Sequence, residues 1–153
     1  MRDIEVMLVK DVMTTRPARI RFSTNLQEAA EMVAMSGMSD LMVVDEENNF
    51  VGVLSEGDIL RGALPDIDEI VGEGGSLDTA FDIFLSKGRN LGELPIAPLV
   101  IQEPIVVDPD DHVAKATTVL IDMQIRILPV VRDGRILGTI SRADICRAVV
   151  GAI

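Results

Sequence analysis

The chain says the same thing twice. With Pro17 set against Pro104, Leu26 falls on Val113, Ala29 on Ala116, Val43 on Val130 and Val44 on Val131. After a one-residue step in the next turn, Gly52 falls on Gly138, Ser55 on Ser141, Asp58 on Asp144 and Ile59 on Ile145. The matched positions set geometry or chemistry, so the pattern reads as duplication. Duplication constrains the fold severely, because one half exposes an apolar sheet face and helix stripe that only a second half can bury.

Each copy reads as β-α-β-β-α. A short extended segment follows the proline, at 19–21 and at 105–107. A helix comes next, with Leu26, Ala29, Ala30 and Val33, or Val113, Ala116, Thr117 and Leu120, at helical spacing. Thr24 with Gln27 supplies a capping box in the first copy, and Gly37 a left-handed stop. Strands are predicted at 41–45 and 50–54, and again at 128–132 and 136–140. Asp133-Gly134 suits a type I′ hairpin turn. A closing helix starts near Ser55 or Ser141. The fold class is therefore mixed α and β, with two stacked units related by a pseudo-twofold.

Residues 63–93 lie outside the repeat. The stretch 65–75 is acidic and Gly-rich and reads as a mobile surface loop open to proteases. Residues 76–87 read as an inserted amphipathic helix, with Leu77, Ala80, Phe81 and Phe84 on one stripe and Gly88 as its stop. It packs on the outside of the module or covers a dimer face.

With aromatic residues at only 3% and no Trp or Tyr, the core must be aliphatic. Met32, Met35, Met38 and Met42 read as core packing, and the lone Cys146 as a small buried hydrophobe. A net charge of -11 argues against a nucleic-acid duplex or an anionic membrane as main partner. No apolar run approaches the roughly 20 residues of a membrane span, and the N-terminus lacks a signal-peptide profile. A cytoplasmic location is expected. The cluster around His112 reads as acidic residues at a helix N-terminus rather than a metal centre. No nucleophile elbow, P-loop or Cys-x-x-Cys pattern occurs, so an enzyme is not expected.

Val12-Met13-Thr14 with Pro17, then Leu26-x-x-Ala29-Ala30, Leu41-Met42-Val43-Val44-Asp45 and Gly52-Val53-Leu54-Ser55-Glu56-Gly57-Asp58-Ile59 together resemble a cystathionine-β-synthase (CBS) domain. Leu128-Pro129-Val130-Val131 and Gly138-Thr139-Ile140-Ser141-Arg142-Ala143-Asp144-Ile145 repeat the pattern. The resemblance covers 8–62 and 94–150, a tandem pair or Bateman module. It implies a regulatory unit that binds AMP, ADP or ATP, needs no cofactor, forms a homodimer and acts on a separate protein. The alternatives are a dimerisation module with vestigial sites, or a sensor of S-adenosylmethionine or a divalent metal ion.

The closing Gly-x-x-Ser-x-x-Asp carries two readings. Ser at the N-cap with Asp three residues on is a capping signature. The same helix N-terminus is a ready site for phosphate. The resemblance implies Ser55 and Ser141 at phosphate and Asp58 and Asp144 at ribose. It also implies adenine slots formed by Thr14 and Thr15 with Leu41 and Met42, and by Ile101 and Gln102 with Ile127, Leu128 and Pro129. Arg142 is a fixed cation where the first copy has Glu56, and Asp40 stands where the second has Ile127. A polyphosphate is therefore expected to favour the second site.

Overall fold

The computed structural model describes residues 6–63, 72 and 74–151, so the acidic stretch 65–75 and its expected mobility lie mostly outside the described residues. In chain order the elements are α1 (Val9–Val12), β1 (Arg19–Arg21), α2 (Leu26–Ser36), β2 (Asp40–Val44), β3 (Phe50–Ser55), α3 (Glu56–Ala63), α4 (Leu77–Gly92), a 3-10 turn (Ala97–Leu99), α5 (Val113–Asp122), β4 (Ile127–Arg132), β5 (Arg135–Ser141) and α6 (Arg142–Val149). The β-α-β-β-α reading thus holds in the first copy, with β1 parallel to β2 and β2 antiparallel to β3.

The second copy departs at its first strand. Residues 105–107 form a single parallel bridge, in which Val107 N–H donates to Pro129 O and Val131 N–H to Val107 O, each at 3.0 Å. Pro104 precedes the segment, and Asp108 N–H is already turned into the Asp111 carboxylate at 2.9 Å. Little extended backbone remains between the two.

Smaller corrections follow from local competition. The cap of α2 is Asn25, whose Oδ1 accepts from Glu28 N–H at 2.9 Å, rather than Thr24. Asn outranks Thr as a cap. Gly37 does end α2, at φ 70°. Asp133 (φ 53°) and Gly134 (φ 76°) both take the positive φ that a type I′ turn requires. Helix α4 starts at the Ser76 cap as expected but runs through Gly88 to Gly92. A single helical Gly costs only about 1 kcal/mol and stops nothing by itself. Its expected stripe is also displaced: Leu77 is 89% exposed and Phe81 59%, while Leu91 packs on the first core. Cys146 is exposed, because the buried stripe of α6 runs through Ile145 and Ala148. Met42 is fully buried, but Met35 is 86% exposed and not core.

The packing between copies is what the duplication alone conceals. Leu41, Val43 and Leu54 of the first copy pack with Ile96 and Val100, which belong to the lead-in of the second. Leu128, Val130 and Ile140 of the second copy pack with Val9 and Val12, the lead-in of the first. Each repeat thus sends its leading segment across to complete its neighbour's core. The two sheets then meet through Met42, Val44 and Ile136, with Phe50, Val53 and Val131 around them. Phe50 N–H also donates to Gly134 O at 2.7 Å, tying the second hairpin tip to the first sheet.

One buried group stands out on β5. Thr139, at the position where the first copy has Val53, buries its hydroxyl with no partner among the described residues. An unsatisfied buried hydroxyl is costly, so Thr139→Val should stabilise the fold by about 1 kcal/mol. Urea unfolding checks this, and a lower midpoint in the variant would refute it.

Candidate functional site between the two copies

The crossed lead-in segments decide where the site residues meet. Thr14 pairs with Thr139 in an antiparallel bridge, N–H to O in both directions at 2.8 and 2.9 Å. Ile101 pairs in the same way with Val53, at 2.9 and 3.0 Å. The expected groupings are therefore exchanged. Thr14 meets the Ser141–Asp144 helix start of the second copy, and Ile101 lies on the strand leading to Ser55 and Asp58. Crossing is possible because position 52 or 138 is glycine. A Cβ on Gly52 would collide with the carbonyl oxygen of Ile101, and one on Gly138 with that of Thr14.

In the second copy the Ser-x-x-Asp motif forms a complete capping box. Ser141 Oγ accepts from Asp144 N–H at 3.2 Å, and Asp144 Oδ2 accepts from Ser141 N–H at 2.9 Å. Asp144 is only 6% exposed. Its Oδ1 accepts from Thr14 Oγ1 at 3.1 Å and from Arg147 at 3.2 Å. Thr14, from one copy, is thus hydrogen-bonded to the carboxylate of the other. The first amides of α6, Arg142 and Ala143, have no intrahelical partner and form a natural anion cradle.

In the first copy Ser55 Oγ accepts from Asp58 N–H at 3.1 Å and donates to Asp58 Oδ2 at 2.8 Å. Arg61 forms an ion pair with Asp58. Burial works to raise the Asp58 carboxyl, but the hydrogen bonds from Arg61 and Ser55 and the Arg61 charge outweigh it and hold it below the usual carboxylate range. One amide of this helix start is already used, since Glu56 N–H donates to Ser39 O at 2.9 Å.

Arg61 and Arg147 occupy equivalent positions, and each pairs with its motif's aspartate. Neither arginine is among the site residues expected above, although Ser-x-x-Asp-x-x-Arg recurs in each copy at the i,i+3 spacing of helix neighbours. Arg142, expected beside phosphate, donates to Leu120 O at 2.9 Å and satisfies one of the last carbonyls of α5. Asp40 is not an isolated charge either. Arg126 of the second copy stands 3.9 Å from it, which places the starts of β2 and β4 side by side.

Of the expected slot residues, Leu41, Met42, Leu128 and Pro129 are buried, Ile127 is half-buried, and Thr14, Thr15, Ile101 and Gln102 are exposed. Leu41 and Leu128 belong to the helix-side cores and Met42 to the inter-sheet layer. These three strand residues are therefore packing elements, Pro129 is buried beside them in β4, and the exposed lead-in segments supply the open surface. Near His112, Asp108 and Asp110 pair with Arg132, while His112 Nδ1 itself caps α5 by accepting from Ala114 N–H at 2.9 Å. Among the described residues no group of three or more His, Cys, Asp or Glu could hold a metal ion, and no helix is long and apolar enough to cross a membrane.

Two stacked repeats with exchanged lead-in segments, and a Ser-x-x-Asp helix start in each, define a tandem repeat module. The chain belongs to the CBS domain family, whose model matches residues 9–64 and 91–151. The second match begins at the segment that crosses to the first copy. A protein of Methanocaldococcus jannaschii without an assigned function is 26% identical, with 95% of this chain and 93% of that one covered. The chloroplastic CBS domain-containing protein CBSX2 of Arabidopsis thaliana is 28% identical, with 92% of this chain but 62% of that protein covered. A crystal structure of CBSX2 in complex with AMP superposes with a TM-score of 0.72 at 26% identity, covering 95% of this chain and 98% of that chain.

Proposed function

We propose that the chain is a non-catalytic regulatory module that binds an adenine nucleotide, AMP foremost, between its two copies. The observation that carries this reading is the cross-copy set of Thr14, Ser141 and Asp144, with the N-terminus of α6 beside it. In this reading Asp144 accepts hydrogen bonds from a ribose diol, and Ser141 with the α6 amides holds a phosphate. The AMP complex of a relative with the same fold supports the choice of ligand. The preference for the second site rests on a helix start whose Arg142 amide has no backbone hydrogen bond among the described residues, against the amide used by Ser39 and the Glu56 charge in the first. Arg142 contributes only by leaving Leu120 O.

Calorimetry with adenosine, AMP, ADP and ATP tests the reading. Saturable binding of AMP at least about tenfold tighter than adenosine is expected, since the phosphate has its own site. No saturation by any of the four at millimolar concentration would overturn it.

The same reading takes the module to be a cytoplasmic homodimer that regulates a separate protein. Met35, Ile121 and Val149 leave apolar surface uncovered on its helices, with Val150 just beyond the last, as a symmetric interface requires. Light scattering at micromolar concentration should give twice the 16.6 kDa chain mass. A monomer mass counts against the dimer.

A further inference from the structure

The copies differ in a feature remote from the Ser-x-x-Asp motifs. Helix α4, which has no counterpart in the repeat, lies over the α2–α3 face of the first copy and leaves a cavity of about 650 Å³ there. That volume lies within the range that holds small organic molecules. Leu26, Ile59, Leu60, Phe84 and Leu91 give it apolar walls.

Two further observations indicate what such a space would take. Gly88 and Gly92, one turn apart in α4, both line it. Glycine inside a helix is unfavourable relative to alanine, yet a Cβ on Gly88 would meet nothing within 4 Å. Packing among the described residues does not call for glycine at that position. Its effect is to keep the space open and the helix backbone bare. The second observation is electrostatic. Glu31 from α2 and Arg89 from α4 line the same cavity with opposite charges, but neither has an ion pair or hydrogen bond among the described residues. Apolar walls with a separated anion and cation match a molecule that has an apolar body and a head of both signs.

We propose that the cavity between α2, α3 and α4 is a second small-molecule site for an apolar zwitterion, the class of the large apolar amino acids. The ligand's carboxylate pairs with Arg89, its ammonium group with Glu31, and its side chain lies on Leu60, Phe84 and Leu91. This assignment does not depend on nucleotide binding between the copies.

The test titrates the full chain with L-phenylalanine, L-leucine and L-methionine, followed by calorimetry and NMR. Saturable binding of at least one is expected, with shifts at Gly88 and Leu60. If phenylalanine binds, 3-phenylpropionate and phenethylamine, which each keep half of the head, should bind at least about tenfold more weakly. For whichever amino acid binds, Gly88→Leu fills the cavity and should abolish binding. Arg89→Ala, an exposed change that leaves the fold intact, should weaken it by about tenfold or more. Absence of saturation with all three amino acids, equal binding of a half-head analogue, or parental affinity in Arg89→Ala would overturn the proposal.

Discussion

Gly138→Ala should lower the urea midpoint sharply, although it adds one methyl group. In the folded chain that methyl would press on the carbonyl oxygen of Thr14 and lie 3.2 Å from Met13 Sδ. The sulfur can move, but the carbonyl is backbone that accepts from Thr139 N–H, in a residue whose own N–H donates to Thr139 O. Forcing an atom into occupied space costs about 1–3 kcal/mol, and each backbone hydrogen bond given up about 1 kcal/mol more. Restricting the unfolded chain returns only ~0.4–1 kcal/mol. A net loss of about 2–4 kcal/mol is a large part of the 5–15 kcal/mol typical of a domain. Gly52→Ala should behave alike, because Ile101 approaches it in the same way. Gly88→Ala is the control, with open space before it, and should be neutral or gain up to about 1 kcal/mol. A Gly138→Ala midpoint equal to that of the parent would show that the lead-in segment does not seat on β5 as described.

Asp144→Ala carries the largest expected effect on ligand binding. The carboxylate is buried and accepts hydrogen bonds from Ser141, Thr14 and Arg147. Under the nucleotide reading, a ribose diol takes over Oδ1 from Thr14 and Arg147. Losing a charged acceptor costs about 1.5–3 kcal/mol, so AMP affinity should fall by roughly ten- to a hundredfold. Thr14→Val separates the roles. It removes the cross-copy bond but leaves the carboxylate, and should reduce stability while changing affinity by no more than about threefold. Asp58→Ala should matter less for ATP than Asp144→Ala, because Glu56 repels phosphate in the first copy. Calorimetry on the three variants, with Asp144→Asn as a version that keeps its shape, decides the point. Parental AMP affinity in Asp144→Ala would remove Asp144 from the site.

Much of this molecule is legible in one dimension. The β-α-β-β-α order of the first copy, the Gly37 stop, the Asp133-Gly134 turn and the two Ser-x-x-Asp helix starts follow from periodicity and turn chemistry, which are local properties. Local rules fail by small steps, as where Asn25 displaces Thr24 or α4 continues through Gly88. Which halves belong together is not local. Thr14 stands in the sequence beside the first copy yet bonds to Asp144 130 positions away, and Ile101 crosses in the opposite direction. The repeat pattern is the same whether a lead-in segment folds onto its own copy or its neighbour's, since either choice buries Val9 and Val12 or Ile96 and Val100. Only close packing of the assembled cores distinguishes them, through the room that Gly52 and Gly138 leave for a passing backbone. The sequence by itself determined that there are two similar units and which motifs they carry. The tertiary structure decided which residues face one another, because that depends on contacts between segments that no local pattern records.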